Sequence, residues 1–153
     1  MFSREREMRV KGAILVRVRG TQVKETGEED NIELITEGRL YRRDHSFYIL
    51  YEETCLSGLE GTLTSLKIEP TRVTLNRTGG TAQRQTFEEG VWHQGYYVTP
   101  YGAIRVGVIP TRVDVDLTES GGSINLEYEL QIEQEKVSDN RLSITVQRLE
   151  TCP

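Results

Sequence analysis

From Ala13 onward the chain alternates apolar and polar residues in short runs separated by turn residues. Ile14, Val16 and Val18 fall on one side of an extended chain and Arg17 and Arg19 on the other. That period of two predicts a half-buried strand over Ala13 to Val23. Ile32 to Arg42 predicts a second strand, with Gly38 as a bend or bulge. After a turn at Arg43-Asp44-His45-Ser46, the run Phe47 to Tyr51 is apolar or aromatic throughout, which predicts a strand to Glu53 covered on both faces. Thr54 to Gly61 reads as a loop. Thr62 to Glu69, Arg72 to Arg77, Gln83 to Glu88 and Val91 to Thr99 continue the series, punctuated by Glu69-Pro70-Thr71, Gly79-Gly80 and Glu89-Gly90. Further on, Val113, Val115 and Leu117 alternate with Asp114 and Asp116. Ile124, Leu126, Tyr128, Leu130 and Ile132 then alternate with Asn125, Glu127, Glu129, Gln131 and Glu133. Ser138-Asp139-Asn140 predicts the turn of a last hairpin onto Leu142, Ile144 and Val146.

Tyr96-Tyr97-Val98-Thr99-Pro100-Tyr101-Gly102-Ala103-Ile104-Arg105-Val106 is the sharpest hairpin signal. Pro100 and Gly102 predict a three-residue loop with a bulge, placing Thr99 opposite Ala103, Val98 opposite Ile104, Tyr97 opposite Arg105 and Tyr96 opposite Val106. One face is then Trp92, Tyr96, Val98, Ile104, Val106 and Val108. The other is His93, Gly95, Tyr97, Thr99, Ala103, Arg105 and Gly107. Burial preferences put the apolar face inside.

These segments make an all-β chain of about 8–10 strands, with no convincing amphipathic helix. Consecutive hairpins form an up-and-down antiparallel meander. A meander this long closes into a barrel to remove its edges, with a sandwich as the second choice. The expected organisation is one barrel domain over residues 1–153, with a charged N-terminal segment at 1–10 and a tail at 150–153.

Composition sharpens this only in part. Apolar residues are 36% of the chain, which supports a packed core and not disorder. The formal charge of −5 argues against a nucleic-acid partner, although Arg4, Arg6, Arg9, Lys11, Arg17 and Arg19 make the beginning basic. Glu25, Glu28, Glu29 and Asp30 make the next turn acidic, and a mixed solvated surface explains both runs. No apolar run is long enough to span a bilayer. The charged start resembles no secretory leader, and Cys55 and Cys152 are too few for a disulfide framework, so the cytoplasm is the expected compartment.

Several pieces together resemble a known family. They are Tyr48-Ile49-Leu50-Tyr51-Glu52-Glu53, Thr62-Leu63-Thr64-Ser65-Leu66-Lys67-Ile68-Glu69, Val73-Thr74-Leu75-Asn76-Arg77-Thr78-Gly79, Tyr97 to Gly102, and Leu126-Glu127-Tyr128-Glu129-Leu130. Their order and spacing resemble the bacterial YwiB-like proteins, a family of unknown function with a calycin-type (lipocalin-like) β-barrel. The resemblance covers about Val10 to Val146, with Tyr97 to Gly102 its most specific part. It implies a barrel in a bacterial cytoplasm and supplies no catalytic residues. Calycin barrels often bind small apolar ligands in the lumen, which is an analogy at the level of fold.

The candidate chemistry is sparse. His45 sits in a predicted turn and His93 on the polar hairpin face, with no nucleophile-elbow motif to make either part of a serine hydrolase. Asp114, Asp116 and Glu119 resemble metal ligands only along the sequence, because the two aspartates alternate onto a solvated face. No metal, cofactor or catalytic set is expected. The more informative set is Tyr51, Glu53, Lys67, Arg77, Tyr97 and Arg105, polar or amphipathic residues inside strand bodies. If they point inward they form a polar lumen for a small molecule or anion, in which Arg77 and Arg105 hold a carboxylate or phosphate. If they point outward, Tyr97 stacks on Arg105 across the hairpin. The competing function is a non-catalytic scaffold acting as a homo-oligomer, motivated by the doubly covered Phe47 to Tyr51 strand, with tyrosines and Trp92 as its aromatic surface.

Overall fold

A computed structural model describes residues 9–53 and 61–149. Within them the chain forms ten strands: β1 (Arg9–Lys24), β2 (Glu29–Arg43), β3 (Ser46–Glu52), β4 (Thr62–Ile68), β5 (Arg72–Gly79), β6 (Ala82–Glu88), β7 (His93–Thr99), β8 (Gly102–Thr118), β9 (Gly121–Ile132) and β10 (Glu135–Arg148). Each pairs antiparallel with the next, and β10 returns to β1, with Val18 opposite Ile144, to close the barrel. Closure leaves no edge strand, as the long meander requires. The expected loop from Thr54 to Gly61, apart from Gly61 itself, and both cysteines lie outside the described residues.

Alternation turns one side of every strand inward. Ile14 and Val16 of β1, Leu40 of β2, Ile49 of β3, Leu66 and Ile68 of β4, Val73 of β5, Ile124 and Leu126 of β9 and Ile144 of β10 are essentially fully buried in one core. Arg17, Arg19, Glu33, Arg84, Asp114 and Asp116 alternate onto the exterior. This apolar-in, charged-out distribution is the reverse of a membrane-spanning barrel. No helix among the described residues is long and apolar enough to cross a membrane.

Two long strands keep their apolar residues inside by bulging. In β8 the pairing with β9 jumps from Pro110–Tyr128 to Arg112–Glu127, so Thr111 is an extra residue. The inward set therefore changes from Val106, Val108 and Pro110 to Val113, Val115 and Leu117. In β10 Val137 is skipped in the same way, between Lys136–Gln131 and Ser138–Leu130.

Four expectations change. The Thr99–Gly102 hairpin has a two-residue loop, with Thr99 opposite Gly102, Val98 opposite Ala103, Tyr97 opposite Ile104 and Tyr96 opposite Arg105. Because side chains alternate, this one-residue difference regroups the faces. His93, Gly95, Tyr97 and Thr99 share the inner side with Ile104, Val106 and Val108, while Trp92, Tyr96 and Val98 are exposed with Arg105. Gly38 is no bulge: it pairs without interruption with Ile14 and Tyr51. A Cβ there would lie 2.5 Å from the Leu50 carbonyl oxygen and 3.2 Å from Tyr51 Cβ, so the glycine makes room for the tyrosine. Strand β3 buries Ile49 and Tyr51 on its inner face, whereas Tyr48 and Leu50 are only half-buried on the outside, in register with Tyr41 and Lys67 and with Arg39 and Ser65. The last hairpin turns at Glu133-Gln134, both at positive φ (51° and 73°), and not at Ser138-Asp139-Asn140. Asp139 pairs with Glu129 in the ladder, and its neighbours Ser138 and Asn140 face the lumen.

Candidate functional site

Hairpin alternation gathers the β1–β2, β3–β4, β5–β6, β7–β8 and β9–β10 connections at one end of the barrel. The inward polar residues concentrate toward that end. A single row crosses the sheet through Gly38, Tyr51, Thr64, Arg77, Gln83, Tyr97 and Ile104, each opposite the next on the neighbouring strand from β2 to β8. Its centre is an ionic network. Arg77 Nε stands 3.5 Å from Glu53 Oε2 and 3.4 Å from Thr64 Oγ1, and Arg77 Nη1 donates to Gln83 Oε1 at 2.6 Å. The Thr64 hydroxyl donates to Glu53 in turn.

Glu53, with a side chain only 2% exposed, is therefore a buried carboxylate matched by a guanidinium and a hydroxyl. Burial, reinforced by the nearby Glu53 charge, pushes the Tyr51 phenol well above its ordinary range, against the opposing influence of Arg77 and Thr64. Tyr51 stays a neutral hydroxyl at physiological pH.

A second polar group approaches from β1, β9 and β10. Gln22 Nε2 donates to Ser138 Oγ at 3.0 Å, and Ser138 Oγ donates to Asn140 Oδ1 at 2.7 Å. Tyr128 lies near Asn140 and packs edge-on against Phe87 with ring centroids 4.9 Å apart. Burial raises its pKa, opposed by Asn140 and by the positive charge of Arg77 across the lumen.

Between these groups lies a cavity of about 140 Å³. Its wall is drawn from eight strands, with Tyr51, Arg77, Gln83, Gln85 and Tyr128 on the polar side and Val18, Leu66, Leu75, Phe87, Val108, Leu126 and Leu142 on the apolar side. Gln85 is 2% exposed; its Nε2 donates to the His93 carbonyl at 3.3 Å, and its Oε1 has no partner among the described residues.

The six residues singled out in the sequence divide by face. Tyr51, Glu53, Arg77 and Tyr97 lie on the inner side, and the first three belong to one network. Lys67 alternates outward between the buried Leu66 and Ile68, and Arg105 is exposed opposite Tyr96. An anion clamp built from Arg77 and Arg105 is therefore not formed, because the two guanidinium groups stand on opposite faces of the wall. Nor do Tyr97 and Arg105 pair across the hairpin, since the register separates them. Sequence reading missed Gln22, Thr64, Gln83, Gln85, Tyr128, Ser138 and Asn140. Only Tyr128 carried a signal, its place in an otherwise apolar alternating face.

His93 Nε2 does reach a carboxylate, Glu88 Oε1, at 3.1 Å. The pair sits by the β6–β7 turn, and neither residue lines the cavity. Asp114 accepts from Arg112 at 2.6 Å and Glu119 pairs with Arg42 at 2.7 Å. Among the described residues no three His, Cys, Asp or Glu side chains converge on a metal position.

Residues 16–144 match the family model described as "Domain of unknown function (DUF1934)". The chain is 24% identical over 123 residues to the uncharacterized β-barrel protein YwiB of Bacillus subtilis (strain 168), an alignment covering 80% of this chain and 85% of that protein. The crystal structure of the B. subtilis ywiB protein superposes with a TM-score of 0.84 at 21% identity, covering 96% of this chain and 99% of the other.

Proposed function

Because the chain belongs to the DUF1934 family, a family of β-barrel proteins of unknown function, we propose that its barrel binds a small molecule in the lumen. The observation that carries this reading is the cavity of about 140 Å³ lined on one side by Tyr51, Arg77, Gln83 and Gln85 and on the other by aliphatic side chains. Wholly apolar cavities of roughly 150 Å³ stay dry and accept a benzene-sized guest. This one adds polar groups that fix orientation, the usual composition of a ligand site. The size restricts the guest to one ring or a short chain.

The test is an amide NMR titration with ring-sized probes: phenol, benzamide, benzoate and benzylamine. The reading expects at least one to shift the amides of Leu75, Val108 and Leu126, and the shifts to vanish in Leu75→Phe, which fills the cavity. No lumen shift from any of the four would overturn it.

A second reading, a self-associating scaffold, is supported by the outer face of β7 and the residue before it, where Trp92, Tyr96 and Val98 are 47%, 56% and 39% exposed. Sedimentation of the full chain beside Tyr96→Glu tests it: a dimer abolished by the substitution supports it, and a wild-type monomer at high concentration removes it. A bacterial cytoplasmic location belongs to the same proposal, supported by the mixed charged exterior and the low cysteine count. Cell fractionation with the tagged chain would place it.

A further inference from the structure

We infer that the lumen selects an electrically neutral ligand, a small molecule with a hydroxyl or amide on an apolar ring or chain, and discriminates against carboxylates of the same size. This rests on the lumen-binding reading above and specifies its ligand class.

The argument begins with Arg77. A single arginine in a ligand cavity ordinarily signals an anion, since its fork matches a carboxylate. Here the charge is already matched: Glu53 stands 3.5 Å from Nε with a side chain 2% exposed, and Thr64 and Gln83 occupy further hydrogen-bonding positions around the pair. Among the described residues Arg77 is the one charged side chain lining the cavity, and Glu53 balances it before any ligand enters. A carboxylate guest would place two negative charges against one guanidinium in a space walled by Leu75, Leu126 and Leu142. An unmatched charge in such surroundings is strongly disfavoured. The remaining polar groups suit a neutral guest. Tyr51 and Tyr128 present hydroxyls that both donate and accept, and Gln85 contributes a buried acceptor without a partner among the described residues. The whole chain, at −5, gives a free anion no long-range attraction.

Phenol and benzoate isolate the charge, being of similar size and, at pH 7, neutral and anionic. Titrated separately into the wild-type protein and followed at the lumen amides, phenol is expected to bind at least tenfold more tightly. Glu53→Gln removes the carboxylate while keeping the shape, and benzoate binding is expected to rise at least tenfold in it; if that variant does not fold, the wild-type ratio still decides. Benzoate equal to or tighter than phenol in the wild type would overturn the selectivity and leave lumen binding standing. Absence of lumen shifts from both, with benzamide and benzylamine also inactive, would overturn lumen binding and the selectivity with it.

Discussion

Arg77 of β5 and Glu53, just beyond β3, meet across the intervening strand, 3.5 Å apart over the Thr64 hydroxyl of β4. The ion pair thus ties together three neighbouring strands at the polar end of the lumen. Removing one partner leaves the other buried and uncompensated, and such losses run at about 3–5 kcal/mol for fully buried pairs. The Arg77 side chain is 22% exposed, so water softens the loss from Glu53→Gln to about 2–3 kcal/mol. In urea unfolding, the double variant Glu53→Leu/Arg77→Met is expected to lose less than the sum of Glu53→Leu and Arg77→Met. Additive losses would mean that the pair is not coupled.

Alkaline pH should weaken the fold through the lumen tyrosines. Tyr51 and Tyr128 both have pKa values raised in the folded state, principally by burial, from an unfolded value near 10. Folded and unfolded states are protonated alike below pH 10, so stability is unaffected there. Above it the unfolded chain releases protons that the folded one retains, and stability falls with rising pH. Melting temperatures between pH 8 and 11 should decline beyond pH 10, and decline less steeply in Tyr51→Phe.

Close strand approach should make Gly95 intolerant of a side chain. A Cβ at Gly95 would overlap the Arg84 carbonyl oxygen and come within 2.8 Å of Gln85 Oε1. Gly95→Ala is expected to cost about 1–3 kcal/mol, the range for forcing extra volume into a packed site. Equilibrium denaturation measures it, and a neutral substitution would contradict the inward placement of Gly95.

Trp92 offers an optical test of the outer face. It is the single tryptophan, its Nε1 donates to Gln131 at 3.2 Å, and it covers Gly107, where a Cβ would stand 2.9 Å from Nε1. Gly107→Ala should displace the indole and shift its emission to the red. The indole is a movable side chain, so the stability change should stay below about 1 kcal/mol. Unchanged emission would mean that the ring does not rest on Gly107.

Much of the architecture was legible because a period of two survives in a single sequence. The β9 run from Ile124 to Leu130 and the β8 run from Val113 to Leu117 point as their alternation said, while Ile132 at the end of β9 is exposed. The site was legible only in part. Tyr51, Glu53 and Arg77 stood out as polar residues within strands, but so did Lys67 and Arg105, and composition does not distinguish a polar residue in the lumen from one on the exterior. Ser138 and Asn140 were masked by their own chemistry, being turn formers that here continue a ladder and turn inward.

The sequence by itself determined the all-β class, the number of strands to within a couple and the inward residues of the long alternating runs, because each follows from local geometry repeated every two residues. The tertiary structure decided the Thr99–Gly102 register, and with it the separation of Tyr97 from Arg105 onto opposite faces. A side chain's face depends on counting residues through each turn and bulge, and one residue at Pro100-Tyr101 or Thr111 reverses everything after it. It also decided that Arg77 meets Glu53. Two charges 24 residues apart become a pair only when the strands between them are folded side by side.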